Sequence, residues 1–354
     1  MEELFEYKIE DGKACITKYL GSSKEVVIPE KIKGYQVKSI GNEAFYNNNL
    51  TSINLLGVES IGNRAFYDNN LTSVDLTGIK NIGNSAFSYN KLTSIDLSAS
   101  GQPGDSSWSG VISISNYAFS NNKLISVDLL GVKSIGNFAF SYNKLTSVNL
   151  SGVKSIGNGA FYDNNLTSVD LTGIKSIGNY AFYNNKLSAL GQPGESRRTS
   201  VDLTGIKSIG NSAFSYNKLS ALGQPGESRR TSVDLTGIKS IGYYAFRYNK
   251  LTSIDLSGVK SIGDGAFYNN NLEVIILPVE FRVRTIDIFG FDEEELDNRN
   301  KKFIKKYVDK MRKLYIKKLY KNSRKYGLIF EYITYYIYRE SYDRMLDEAI
   351  KKFD

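Results

Sequence analysis

Along most of this chain the apolar positions return with a fixed long period. One unit, LTSVDLTGIKNIGNSAFSYNK from Leu71 to Lys91, carries its apolar residues at Leu71, Val74, Leu76, Ile79, Ile82, Ala86 and Phe87. Leu71, Val74 and Leu76 fit a short strand whose inward side chains pack on the next unit, and the Val-x-Leu step shows the period of two that a strand requires. Gly83 then suits a tight bend, and Ala86 and Phe87 follow in a half-turn that carries an aromatic ring inward.

The isoleucine of this step recurs at Ile40, Ile61, Ile82, Ile114, Ile135, Ile156, Ile177, Ile209, Ile241 and Ile262, about 21 residues apart or about 32 in three intervals. A period in this range denotes stacked supersecondary units that share one core. The phenylalanines at Phe45, Phe66, Phe87, Phe119, Phe140, Phe161, Phe182, Phe214, Phe246 and Phe267 are therefore predicted to form a single stacked column. Two residues before each leading leucine stands an asparagine, at Asn48, Asn69, Asn90, Asn122, Asn143, Asn164, Asn185, Asn217, Asn249 and Asn270. A carboxamide both donates and accepts, so it can satisfy turn backbone groups that stacking buries. A structural asparagine ladder is the expectation.

This pattern resembles the leucine-rich repeat, specifically that of the BspA-like surface-antigen family, in its S-I-G-x-x-A-F core followed by L-x-x-V-x-L over residues from about 39 to 278. The leader FEYKIEDGKACITKYLGSSKEVVIPEKIKGYQVKSIG is similar to the strand-rich start of those proteins. The resemblance implies a leucine-rich-repeat solenoid of parallel β strands, one per repeat, with irregular half-turns. It also implies a secreted or surface-attached protein that adheres to host matrix proteins and to other cells. The expected organisation is an N-terminal strand-rich cap at 1–38, a solenoid of about ten units at 39–278, an acidic connector at 279–298 and a basic, tyrosine-rich, α-helical C-terminal segment at 299–354. Ten units at the parallel strand spacing make a rod about 48 Å long.

Composition narrows the chemistry. The chain has no histidine, which removes the commonest general base and metal ligand and every Ser-His-Asp or Cys-His arrangement. Its single cysteine, Cys15, excludes an intramolecular disulfide and any zinc-like cysteine cluster. Carboxylates are plentiful, but they repeat on an open surface where nothing splits their pKa values, and no phosphate-cradling glycine loop occurs. The reading is a non-enzyme with no cofactor, no metal and no small-molecule substrate. The first residues are acidic and alternating, without the basic start and apolar core of a signal peptide. No apolar run is long enough to span a bilayer, so the sequence as written reads as cytoplasmic, against the surface location that the resemblance implies.

Binding candidates come from what faces outward. Asp75, Asp96, Asp128, Asp170, Asp202, Asp234 and Asp255 occupy the outward place between the two inward residues of each strand, with Asn54 and Asn149 interposed. Neighbouring carboxylates at strand spacing repel by roughly 1 kcal/mol even in water, so the row favours a cationic partner. The plainer reading is that lysines five residues on, such as Lys80, Lys133 and Lys154, already screen them. Three units carry about eleven extra residues containing Gln-Pro-Gly, a type II turn signal. These loops are expected to project from the rod and to present Trp108, Arg197, Arg198, Arg229 and Arg230, residue types favoured as interface anchors. Tolerated surface insertions are the alternative.

After LEVIILP the composition changes. From Arg299 to Lys325 the chain has 13 basic residues against Asp309 alone, which leaves the remainder net acidic. Ile304, Tyr307, Val308, Met311, Leu314, Tyr315 and Leu319 recur at three and four residues, which predicts an amphipathic helix. Its basic face holds Lys302, Lys305, Lys306, Lys310, Lys313, Lys317 and Lys321. That face either belongs to a cap over the open end of the solenoid, or contacts a polyanion, or does both. Two functions follow: a protein-binding scaffold working through strand face and loops, or an intracellular binder or inhibitor of a nucleic-acid-associated complex. A protein partner ranks first, nucleic acid or nucleoprotein second and an anionic membrane surface third.

Overall fold

An Asp-Gly step sets the start of the chain. Asp11 and Gly12 both take left-handed backbone, with φ of 47° and 70°, and so close a tight hairpin between Phe5–Glu10 and Lys13–Tyr19. The second strand then pairs in parallel with Tyr35–Ile40, and that strand with Ser60–Ile61, so the hairpin is built onto the first coil. The structure is a computed structural model and describes residues 2–95, 97, 111–188, 201–203, 205–220, 235, 237–256, 258–276, 281, 284–291 and 298.

Where the sequence predicts one strand per repeat, a second short parallel pairing forms, and in several coils the two occur together. The expected strands form in part of the rod: Ser126–Asp128 pairs with Ser147–Asn149, Val169–Asp170 with Val201–Asp202, and Ser253–Asp255 with Val274–Ile276, whereas Leu71–Leu76 carries no more than a bridge at Asp75. The longer sheet, however, is made by the Ser-Ile steps. Seven of them join in order from Ser261–Ile262 back to Ser113–Ile114, and Ser60–Ile61 and Asn81–Ile82 extend the N-terminal sheet in the same way. The glycine after such a step has two roles: Gly83 opens the turn expected there, its carbonyl accepting the N–H of Ala86 at 3.3 Å. It also continues the pairing, its N–H donating to Ile61 O at 2.8 Å.

A second bend, not foreseen from the sequence, lies at the earlier glycine. Gly78 has φ of 82° with no atom within 4 Å of where a Cβ would stand, so its role is conformational. At Gly83 a Cβ would stand 2.5 Å from Asn63 N and Gly62 C, so its role is to let two backbones approach. Ser115 replaces glycine after Ile114, and its hydroxyl donates to Ile82 O, the same acceptor type that the glycine N–H uses in other coils.

The half-turn contributes a third set of coil-to-coil bonds. Phe45 N–H donates to Ala65 O at 2.8 Å and Phe161 N–H to Ala181 O at 2.9 Å, with the same step repeated along the rod. The interior is the predicted column. All ten phenylalanines are buried, and successive rings from Phe45 to Phe267 lie 5.1 to 5.7 Å apart between centroids. Tyr19 stacks on one end at 5.3 Å and Phe289 on the other at 5.7 Å. The α-helical element among the described residues is Thr285–Phe289, which stops at Gly290 in the left-handed region. It lies in the segment read as a connector. Its carbonyls at Asp287 and Ile288 accept the N–H groups of Gly265 and Phe267, so it bonds to the last coil. The helix expected from Arg299 onward lies outside the described residues.

Candidate partner-binding face

The buried asparagines bind each coil to the one before it. Asn164 illustrates the geometry: its Oδ1 accepts the N–H of Leu145 at 3.0 Å, and its Nδ2 donates to Phe140 O at 2.9 Å. Asn69, Asn90, Asn122 and Asn143 repeat the arrangement, with the acceptor role played toward Leu50, Leu71, Leu92 and Leu124. A second ladder, missed in the sequence reading, runs on the surface through the residue after the Ile-Gly step. Asn42 Oδ1 accepts from Asn63 N at 2.8 Å, Asn63 from Asn84 at 2.8 Å, and so on to Asn211, which accepts from Tyr243 N at 2.9 Å. The recurrent I-G-N triplet was the available signal.

With its turns and core fixed in this way, the rod presents the outward residues of the expected strands to solvent. Asp75, Asp128 and Asp170 are exposed, and each Oδ1 accepts the N–H two residues on, at 2.8, 3.0 and 2.9 Å. Asn54 and Asn149 make the same bond to Leu56 N and Ser151 N at 2.9 and 3.0 Å. The hydrogen bonds from Thr77 hold the Asp75 carboxyl below the usual carboxylate range, so it stays charged. These residues thus cap the turn that ends at the left-handed glycine, a role compatible with carboxylate or carboxamide. They also align from coil to coil. Asp128 is the register partner of Asn149, whose Nδ2 donates to Asp128 Oδ1 at 3.3 Å, and Asp170 is the register partner of Asp202. Asp255 sits in the strand paired with Val274–Ile276. Asp96, Asp234, Trp108, Arg197, Arg198, Arg229, Arg230 and the lysines from Lys302 to Lys321 lie outside the described residues.

The lysines five residues on do not pair with Asp75 or Asp128. Lys80 instead meets Glu59 at 2.7 Å, and Lys38 meets the same carboxylate at 3.1 Å from the coil before. Hydrogen bonds from Lys80 and Lys38 bring the Glu59 pKa down to about 2. The folded pKa lies below the unfolded one, so this group contributes stability above its unfolded pKa and loses it as the pH falls through about 2. Acid unfolding curves of the wild type and Glu59→Gln are expected to converge toward pH 2 and to separate above about pH 5, with the wild type more stable. Equal separation at all pH values would mean that the bridge does not form.

The half-turn side carries a third feature that the sequence reading passed over. Tyr46 stacks on Tyr67 and Tyr162 on Tyr183, while Tyr89 and Tyr142 pack tilted against Tyr67 and Tyr162, with Arg64 laid over the Tyr46 and Tyr67 rings. Burial among its neighbours pushes the Tyr162 phenol up to about 12. Among the described residues, no group of three or more histidine, cysteine, aspartate or glutamate side chains has the geometry to hold a metal ion, and no helix is long and apolar enough to cross a membrane.

The repeat of the fold is matched by a family model. The BspA type leucine-rich-repeat region, in six copies, matches residues 18–104, 106–219 and 208–300. The chain belongs to this BspA-type leucine-rich-repeat family. Repeats of the family are interaction scaffolds, and the described coils have that form. No curated protein matches the chain.

Several solved structures are similar to this chain. The pneumococcal vaccine antigen PcpA has 20% identity, with 78% of this chain and 81% of that one covered and a TM-score of 0.49. A leucine-rich-repeat protein from Bacteroides ovatus has 19% identity, covering 82% and 90%, with a TM-score of 0.42. A leucine-rich cell surface protein from Faecalibacterium prausnitzii has 19% identity, covering 78% and 87%, with a TM-score of 0.36.

Proposed function

We propose that this BspA-type chain is a non-catalytic, adhesin-like protein-binding scaffold whose partner lies along the strand face, against the aspartate row and the Gln-Pro-Gly insertions. The observation that carries the reading is the outward register of that row. Asp75, Asp128 and Asp170 occupy equivalent exposed places on a rigid rod and use a carboxylate oxygen to hold their own turns. A rigid array of repeated weak contacts gains affinity through simultaneous engagement, which suits an extended or repetitive cationic partner.

The test measures binding of the full chain to a panel of immobilised matrix glycoproteins, beside the variant Asp75→Asn/Asp128→Asn/Asp170→Asn. Asparagine already serves as the turn cap at Asn54 and Asn149, so the variant keeps the fold and loses only charge. The expected result is a drop in affinity of about tenfold, with weaker salt dependence. An unchanged affinity, or no binding to any panel member, would remove the proposal.

A further inference from the structure

We propose that the groove on the Ser-Ile sheet, at the C-terminal end of the rod, binds an acidic polysaccharide, a sugar chain bearing sulfate or carboxylate groups. This surface is distinct from the aspartate row, and the inference stands independently of it. The groove has a volume of about 430 Å³ and is lined by Ser208, Ser240, Ser261, Asn211, Tyr243 and Arg284, with the Ile-Gly steps as its floor.

Three observations point to that ligand. The first is the wall residue Tyr243. It stands where Asn63, Asn84, Asn116, Asn137, Asn158, Asn179 and Asn211 stand in other coils, so the surface asparagine ladder ends at it. Its side chain is 53% exposed, and no described ring packs on it, in contrast to the stacked tyrosines of the half-turns. An open ring face beside a file of serine hydroxyls offers an apolar surface and hydrogen-bonding groups together, which is the chemistry of a sugar ring.

The second observation is charge. Lys207, Lys239 and Lys260 directly precede the three lining serines, and Lys133, Lys154 and Lys175 continue the file toward the N terminus. All six are exposed, and none is in an ion pair with a described carboxylate. Near the N terminus the equivalent file neutralises itself through Lys38, Glu59 and Lys80. Lys239 Nζ donates to Gly258 O at 3.3 Å, and Lys133 and Lys154 Nζ lie 3.6 and 3.8 Å from where a Cβ would stand on the turn glycines Gly152 and Gly173 of the next coil. Arg284, across the groove, is held by Asp264 and by Ile262 O at 3.2 Å.

The third is spacing. One serine and one lysine recur at each parallel strand step of about 4.8 Å, an advance comparable to one ring of an extended sugar chain. Duplex nucleic acid carries its charge on two backbones flanking a groove about 12 Å wide and does not enter a furrow of this size.

The experiment is titration calorimetry of the full chain with a heparin octasaccharide, neutral cellohexaose and polyglutamate. All proteins carry glutamine at Lys302, Lys305, Lys306, Lys310, Lys313, Lys317 and Lys321, so that tail charge does not mask the groove. Lys207→Gln/Lys239→Gln/Lys260→Gln is expected to weaken the octasaccharide about tenfold and to reduce its salt dependence. Lys144→Gln/Lys186→Gln/Lys218→Gln removes equal charge from exposed lysines elsewhere on the coils and is expected to change affinity by less than about twofold. Tyr243→Asn restores the residue of the other coils, keeps the fold, and is expected to weaken the octasaccharide severalfold. The proposal is overturned if the two lysine variants behave alike, if the parent protein does not bind the octasaccharide, or if polyglutamate binds equally well and Tyr243→Asn has no effect.

Discussion

Phe161→Ala is expected to destabilise the chain by about 3–5 kcal/mol, through lost apolar contact and the cavity left in the column. The ring has no solvent exposure and is stacked on Phe140 at 5.7 Å and on Phe182 at 5.4 Å, so both neighbours lose a contact face. Its position in mid-rod matters. A solenoid is stabilised by neighbour-to-neighbour interfaces, and a defect between two coils weakens both halves' hold on each other. Chemical denaturation followed by far-ultraviolet circular dichroism gives the measurement. A single transition that becomes two in the variant would locate the weakened interface, whereas a loss below about 1 kcal/mol would show that the ring is not interior.

Asn164→Ala is expected to cost about 2–5 kcal/mol, close to the phenylalanine despite the smaller volume removed. The side chain serves Leu145 N–H and Phe140 C=O, both in the buried wall between coils, and each group left without a partner costs about 1–3 kcal/mol. Asn164→Asp is the informative companion. It preserves the acceptor toward Leu145 and loses the donor toward Phe140, while placing a charge where the side chain is 5% exposed. It is expected to be at least as destabilising as alanine at neutral pH and to recover toward the wild type as the carboxyl protonates in acid. Stability of Asn164→Ala within about 0.5 kcal/mol of the wild type would mean that water replaces the carboxamide.

Much of the interior was legible because stacking imposes one demand on every coil. A buried ring at each AF step and a carboxamide before each leading leucine recur with the unit, so periodicity alone identifies them and chemistry explains them. The second strand was less legible. Ser-Ile is too short to show alternation, and the glycine after it reads as a bend alone until the distance to the preceding backbone is known. The same limit hid the surface ladder, because an asparagine beside a glycine looks like a turn residue whether it bonds within its own coil or across to the next. Asp75, Asp128 and Asp170 lie on the outside as expected, but their bond to their own turn is a local geometry that a row viewed from sequence does not display. Tyr243 carried a clear signal, an aromatic in a run of asparagines, whose meaning depended on the groove beside it.

Every bond that joins one coil to its neighbour lies nearly along the axis of the rod, and the core is likewise an axial stack. Tension applied through the two ends therefore loads these contacts in series. The rod would yield at its weakest joint and pay out chain in steps of about 70 Å per 21-residue coil and about 110 Å for each of the three longer ones. A tether of this design would dissipate pulling work in small increments, and it could rewind from any surviving coil when the load relaxes.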